Sequence, residues 1–225
     1  LNPLGYKPVG KLVKSLAIPA IIANLVNALY NVVDQIFIGQ GIGYLGNAAT
    51  NIAFPITTMC LAIGLTLGIG GASNFNLELG KGYPEKSKHT AGTAASTLII
   101  IGIILCIVVR IFLEPLMIGF GATDKILEYS MEYTGITSYG IPFLLFSIGV
   151  NPLVRADGNA KYSMLAIVTG AILNTILDPL FMFVYNWGIA GAAWATVISQ
   201  IVSALLLFIY FSRFKSVKFS LNDFI

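Results

Sequence analysis

The sequence predicts an all-α polytopic membrane protein: a bundle of six transmembrane helices with kinks in the first and the fifth. Of its 225 residues, 56% are hydrophobic and only 10% are charged, and the mean hydropathy is +0.84. Soluble domains carry about 25% charged residues. The chain contains six charge-free stretches of 16–43 residues, and a helix that crosses a bilayer needs about 20 apolar residues. These stretches are 15–33, 35–77, 90–109, 133–154, 162–177 and 179–212.

Glycines and polar clusters divide these stretches into six predicted spans. The predicted bounds are 12–38, 46–74, 89–111, 128–150, 161–185 and 189–212. The connections after spans one and five, GQGIGYLGN and NWGIAG, are short and uncharged, which predicts tight helical hairpins. The chain neither begins with Met nor extends far beyond the last basic cluster, so we expect 1–225 to be a piece of a longer protein.

Span one carries a polar stripe along one side. Its members follow the spacing i, i+3, i+7 and i+10, and they are Asn24, Asn27, Asn31 and Asp34. This spacing places them on one helical face, because α-helical side chains three, four and seven residues apart lie above one another. Tyr30, four residues before Asp34, borders the stripe. The stripe predicts a helix face that lines a polar cavity.

Four prolines interrupt the predicted spans. A proline inside a helix lacks a backbone N–H and crowds the carbonyl four residues earlier, so it kinks the helix and frees that carbonyl. Freed carbonyls at membrane depth are tolerated where they line a cavity. These predicted kinks are Pro19, Pro55, Pro142 and Pro179.

Span five combines a carboxylate with a helix breaker, and span six brings polar residues beside it. Asn174 and Asp178 are four residues apart and share one face, and Pro179 follows directly. In span six, Thr196 and Gln200 also share one face. We predict that the faces of spans one, five and six meet.

The basic residues orient the chain. Eleven lie on one side of the predicted membrane: Lys7, Lys11, Lys14, Lys81, Lys86, Lys88, Arg155, Lys161, Arg213, Lys215 and Lys218. Two, Arg110 and Lys125, lie on the other side. The positive-inside rule then places both termini in the cytoplasm. We expect the protein to be integral to the plasma (inner) membrane and in contact with its lipid. The net charge of +3 reflects this topology, so nucleic-acid binding has little support.

Two carboxylates lie well inside the predicted spans, Asp34 and Asp178. Each costs roughly 2.5–3.5 kcal/mol at a helix centre, and such residues usually mark an ion or substrate path. With the predicted orientation both lie roughly 7–10 Å below the outer surface, so they can share a site. Carboxylate, amide and carbonyl oxygens suit a proton or Na⁺. The alternative interpretation is that the asparagines and prolines only join and bend helices.

The glycine-rich stretch and the cysteines of the sequence do not indicate an enzyme. The stretch GLTLGIGGAS is rich in glycine, but it follows no strand and has no lysine of a phosphate loop, so Gly64 and Gly68 predict close helix packing instead. Cys60 and Cys106 are expected to be free thiols, since no Cys or His stands at metal-ligand spacing. We predict a transporter that needs no cofactor and no metal beyond a possible Na⁺.

The chain resembles the N-terminal lobe of multidrug and toxic compound extrusion (MATE) transporters of the MOP superfamily. The resemblance rests on NVVDQIFIGQ, PLVRADGNAKYSM and NTILDPLFMFVYNWGIAGAAWATVISQ. It implies twelve helices in two six-helix lobes around a central cavity. The missing C-terminal lobe, or a second copy of this lobe, would then be the partner. It also implies that Asn174, Asp178 and Thr196 form a cation site together with Asp34, and less specifically that Tyr30 belongs to the cavity.

The resemblance implies a secondary antiporter that exports organic, mostly cationic, compounds in exchange for H⁺ or Na⁺. One alternative is a flippase for lipid-linked oligosaccharides in the same superfamily. Such a flippase needs cationic residues in its cavity, and the predicted spans contain none, Arg110 being the nearest. Another alternative is a non-transporting membrane scaffold.

Overall fold

The computed structural model describes residues 8–214, and they are almost entirely helical. The α-helices are α1 (Val9–Gly41), α2 (Tyr44–Gly80), α3 (Pro84–Ile111), α4 (Leu113–Gly119), α5 (Asp124–Thr137), α6 (Ile141–Ala156), α7 (Ala160–Pro179) and α8 (Gly188–Phe211). A 3₁₀ turn joins α5 to α6, and a π-helical turn follows α7. Six membrane-spanning segments are long and apolar enough to cross a bilayer within this part of the chain. The predicted fold class is confirmed. Lys7, Lys215 and Lys218, which contribute to the predicted orientation, lie outside the described residues.

The helices are longer than the predicted spans. α2 continues to Gly80, beyond the predicted end at 74, and α3 begins at Pro84 instead of 89. The segment of span four reaches Ala156, beyond the predicted end at 150. The helices therefore continue into polar residues that the sequence analysis assigned to the connections. A short helix, α4, which the sequence analysis did not predict, lies in the connection after α3.

The prolines act in different ways. Pro19 and Pro55 lie inside α1 and α2, which continue through them. Pro142 stands in the first turn of α6, directly after the 3₁₀ turn Ser138–Gly140, so span four is two helices end to end. Pro179 ends α7, and the chain continues as a π-helical turn from Leu180 to Val184. Such turns are typical of functional sites.

Small residues bring α2 and α6 together. A Cβ at Gly68 would lie 2.6 Å from the Cα of Gly149, and one at Gly64 would lie 2.7 Å from the Ile148 side chain. The two backbones therefore touch, as the GLTLGIGGAS stretch predicts. The apolar core around this contact contains Leu98 and Leu145, both fully buried.

Helix α1 lies on the side of this core and packs chiefly along α7, which in turn packs on α8. It is largely exposed, and the few buried residues in it are Pro19, Ala23, Asp34 and Ile38. The buried carboxylate of α1 therefore lies on the face that meets α7. This arrangement places the polar stripe of span one opposite the polar faces of spans five and six.

Candidate functional site

The four residues predicted for cation binding come together where α1, α7 and α8 meet. Asp34 is 7% exposed, Asn174 is 1% exposed and Asp178 is fully buried. Thr196 lies across from Asn174 on α8. Asp34 stands seven residues before the last residue of α1, and Asp178 lies just before the π-helical turn that ends its span. Both carboxylates are thus at the same level of the bundle.

The Asn174 amide links the members of this cluster. Its Nδ2 atom donates to Asp178 Oδ1 across 3.2 Å and lies 3.4 Å from Thr196 Oγ1. The carboxyl groups of Asp34 and Asp178 lie close enough to interact with each other. Neighbouring buried carboxylates repel each other, so a proton or a cation between them stabilises the pair.

Three buried oxygens of the cluster receive no hydrogen bond from any N–H or hydroxyl group of the described residues. They are Asp34 Oδ1, Asp178 Oδ2 and Asn174 Oδ1. A buried acceptor without a donor costs free energy, so it usually has a partner. Three convergent oxygens, two of them from carboxyl groups, suit a small hard cation or a proton.

A second layer of polar residues, which the sequence analysis missed, connects Asp34 to α2. Gln35 Nε2 donates to Asp34 Oδ2 across 3.4 Å. The Thr50 hydroxyl lies 3.2 Å from Gln35 Oε1 and 2.9 Å from the Asn47 carbonyl oxygen. Thr50 is only 8% exposed, and no periodicity of α2 marks it.

Tyr133 of α5 is a further polar neighbour that the sequence analysis missed. Its side chain lies close to Thr196 of α8. It is partly buried beside the small cluster of Ile38, Met182 and Ala192. Span four shows no polar stripe, so only the three-dimensional packing could reveal that a tyrosine of α5 reaches this site.

A cavity of about 250 Å³ lies on the inner side of the cluster, between α1, α2, α6, α7 and α8. Asn24, Asn27, Tyr30 and Gln200 line it, and Asn174 and Thr196 form its outer end. Gln200 Oε1 is buried and accepts no hydrogen bond from the described residues. Asp34 and Asp178 are not in the lining, so the carboxylates lie behind the cavity wall.

Asn31 does not line this cavity, contrary to the expectation from the polar stripe. It faces a shallow groove between the outer ends of α1 and α2 together with Gln35 and Asn47. Its amide donates to the Asn27 carbonyl oxygen of its own helix, 2.7 Å away.

The predicted position of Arg155 was also wrong. The sequence analysis placed it in a cytoplasmic loop and found no cationic residue in the spans. In the structure it lies in the last turn of α6 and lines the inner end of the cavity. The reason is the length of α6, which runs six residues beyond its predicted end.

Comparison with known proteins yields one consistent picture. Residues 19–180 match the family model described as MatE. The chain is 27% identical over 201 residues to the multidrug export protein MepA of Staphylococcus haemolyticus, covering 88% of this chain and 44% of that protein. It is also 27% identical over 206 residues to the probable multidrug resistance protein YoeA of Bacillus subtilis, with the same coverage of 88% and 44%.

Solved structures of MATE transporters are also similar to this chain. The chain is similar to MATE in the straight conformation, with a TM-score of 0.87, 30% identity and coverage of 95% of this chain and 48% of that one. It is similar to the outward-facing conformation of a multidrug resistance MATE family transporter of the MOP superfamily, with a TM-score of 0.85, 30% identity and coverage of 96% and 48%. The chain spans about half the length of the curated relatives that it matches.

Proposed function

The chain belongs to the MatE family, as the N-terminal lobe of its two-lobe fold, and from this premise we propose that it is part of a secondary antiporter. The antiporter exports drugs and other toxic organic compounds, mostly cations, in exchange for inward H⁺ or Na⁺. Relatives named as multidrug export proteins support the export of small molecules. The coupling ion binds at Asp34, Asn174, Asp178 and Thr196.

One observation carries this proposal: Asp34 and Asp178 lie in contact inside a membrane bundle. Two carboxylates at this depth would cost several kcal/mol if they only filled space, because each alone costs roughly 2.5–3.5 kcal/mol at a helix centre. The oxygens without donors, Asp34 Oδ1 and Asp178 Oδ2, are available to an ion. A structural role for the pair would be better served by apolar residues.

The position of the pair accounts for coupling. An ion from the outside reaches the outer half of the bundle and neutralises the carboxylates. Since α1 packs chiefly along α7, a change of charge between them alters how α1 lies on the bundle. Tyr30 and Asn27 of α1 line the cavity, so the same movement changes the space open to the exported compound. Each positive charge that enters releases about 2.3 kcal/mol per 100 mV of membrane potential, which drives the export.

The partner and the location follow from the fold. The lobe pairs with the C-terminal lobe of the two-lobe fold, or with a second copy of itself, to enclose the central cavity. The protein lies in the plasma (inner) membrane with both ends of this segment in the cytoplasm. Among the described residues, Lys11 and Lys14 before span one and Lys81 to Lys88 after span two support this orientation.

Export of a fluorescent organic cation from cells tests the proposal. The protein as its own gene encodes it is compared with Asp178→Asn at equal abundance in the membrane. The matched control is Asp124→Asn, an exposed aspartate at the start of α5. We expect Asp178→Asn to abolish export and Asp124→Asn to leave it unchanged.

Ionophores identify the ion, because a protonophore stops a proton-driven export and a sodium ionophore stops a sodium-driven one. Export that Asp178→Asn leaves unchanged would make the carboxylate a structural residue. A wild-type protein that exports no organic cation would instead favour the lipid flippase or the scaffold.

A further inference from the structure

Arg155 stands at the inner end of the same cavity, far from the cation site. It lies in the last turn of α6, and Ser163, in the first turns of α7, lines the cavity beside it. Asn174 marks the outer end. Eleven residues of α7 separate Ser163 from Asn174, which corresponds to roughly 16 Å along the helix. The cavity is therefore elongated, with a carboxylate pair behind one end and a guanidinium at the other.

The Arg155 guanidinium has no ion pair and no hydrogen bond within residues 8–214. The ion pairs in this part of the chain join Lys81 to Glu78 and Lys88 to Glu85. Asp157, two residues on, accepts a hydrogen bond from Tyr210 and does not pair with Arg155. Arg155 is partly buried. A cation at the C-terminal end of a helix gains some stabilisation from the helix dipole, but this leaves its five N–H donors without acceptors.

The polar residues that line the cavity with Arg155 are uncharged. Ser163 Oγ donates to Asn151 Oδ1 across 2.7 Å, and both residues are buried in the lining. Ser147 Oγ and Ser199 Oγ also belong to lining residues, are buried, and have no partner among the described residues. No aspartate or glutamate of the described chain lines the cavity. The cavity thus offers a cation at its inner end and unpaired hydroxyl groups farther along its wall, and these groups recognise an oxyanion.

We propose that Arg155 binds the oxyanion of a ligand in this cavity, a carboxylate or a phosphate. The inference rests on the proposed export function and extends its substrate class from simple cations to amphiphiles that carry an anionic group. The planar guanidinium matches either oxyanion with two parallel hydrogen bonds, which a lysine could not supply. The oxyanion belongs to the transported compound or to the headgroup of a phospholipid from the inner leaflet.

A pair of dyes that differ in one group tests the first source. Rhodamine B carries a cationic ring system and a free carboxylate, and its ethyl ester keeps the ring system but lacks the carboxylate charge. Export of both is measured from cells that express the wild-type protein, Arg155→Met, Arg155→Lys or Asp178→Asn at equal membrane abundance. We expect Arg155→Met to lower the export of rhodamine B about tenfold or more and to leave the ester within twofold, as for the loss of hydrogen bonds to a charged group.

The variants separate this inference from the proposed function. Asp178→Asn should stop both dyes, because it removes the drive, whereas Arg155→Met should affect only the dye with the carboxylate. If Arg155→Met does not reach the membrane, Arg155→Lys replaces it, since it keeps the charge and loses the paired hydrogen bonds. We expect that variant to reduce rhodamine B export selectively but less strongly.

The second source is tested on the purified protein in dodecyl maltoside. Lysophosphatidylglycerol should raise the melting temperature of the wild type and not of Arg155→Met if a lipid phosphate is the ligand. Selective loss of rhodamine B export assigns the oxyanion to the compound, and loss of the lipid effect assigns it to phospholipid. Where neither dye is exported, the lipid measurement decides alone. Equal effects on both dyes together with an unchanged lipid effect would overturn the proposal.

Discussion

The amide nitrogen of Asn174 donates a hydrogen bond to Asp178 Oδ1 across 3.2 Å, one turn along the same helix. This bond fixes one oxygen of the carboxylate, while Oδ2 receives none from the surrounding N–H and hydroxyl groups of the described chain. Asn174 also lies 3.4 Å from Thr196 Oγ1 and so ties α7 to α8 at the level of the carboxylates. The amide therefore leaves Oδ2 as the oxygen that would bind an ion at the proposed site.

We predict that Asn174→Ala slows export about tenfold or more. The substitution removes a hydrogen bond to a charged group, which is worth about 1.5–3 kcal/mol, and it leaves the carboxylate free to rotate. The measurement is the initial rate of export at several concentrations of the coupling ion. Asn24→Ala, at an exposed position of the cavity face, is the control and should keep its dependence on the ion. Equal ion dependence in the two variants would contradict a role of Asn174 in the cation site.

A second prediction concerns the connection from Asp34 to α2. Thr50→Val keeps the shape of the side chain and removes the hydroxyl that lies 3.2 Å from Gln35 Oε1, so Gln35 is less well held against Asp34. We expect export to fall by a few fold, since one neutral hydrogen bond is worth about 0.5–1.5 kcal/mol.

The matched control for this variant is Thr58→Val in the same helix. The Thr58 hydroxyl bonds only to the Phe54 carbonyl oxygen of its own helix, and the residue is exposed. Both variants lose a threonine hydroxyl, so a general effect of the substitution would lower export in both. If export falls only in Thr50→Val, the contact of Gln35 with Asp34 contributes to export. Equal export rates in Thr50→Val and Thr58→Val would show that it does not.

The sequence predicted those features that depend on local patterns. Charge-free length identifies the six spans, and the positive-inside rule gives Asp34 and Asp178 a common depth, which is why their meeting could be foreseen. The rest depends on contacts between distant segments. The approach of Tyr133 to Thr196 and of Thr50 to Gln35 follows from how α5 and α2 pack, which no spacing within one helix records.

Boundaries limited the prediction in a second way. The sequence analysis ended span four at 150, and this end separated Arg155 from the cavity that it lines. A charged residue in the last turn of a helix has the same local signature as one in the following loop. The prediction for Asn31 was also wrong, because the polar stripe of span one continues past the cavity and Asn31 faces the groove beside Asn47 of α2.

The contact between α2 and α6 gives a prediction on stability. Gly68→Ala would place a Cβ 2.6 Å from the Cα of Gly149. The backbone cannot make room for this atom unless α2 and α6 move apart. We expect a destabilisation of about 1–3 kcal/mol, as for other overpacked cores. Gly70→Ala, two residues on, meets nothing within 4 Å and should be neutral or slightly stabilising, because alanine favours a helix over glycine. Thermal unfolding of the purified variants measures the difference, and equal melting temperatures would contradict the close approach.

The last prediction concerns the end of the bundle where α6 turns into α7. The rings of Tyr162 and Tyr210 lie there with centroids 4.7 Å apart, and their hydroxyls bond to different acceptors. The Tyr210 hydroxyl donates to a carboxylate oxygen of Asp157 across 2.9 Å, and Asp157 is only 1% exposed. The Tyr162 hydroxyl donates to the neutral carbonyl oxygen of Leu206, also across 2.9 Å.

Phenylalanine at either position keeps the ring contact and removes one hydroxyl. Tyr210→Phe should therefore cost about 1.5–3 kcal/mol, because the bond that it removes has a charged acceptor, and Tyr162→Phe about 0.5–1.5 kcal/mol. Thermal unfolding of the two variants side by side gives the ranking. If Tyr162→Phe proved the more costly, the link from the α6–α7 turn to α8 would depend on the backbone contact at Leu206 and not on the buried carboxylate.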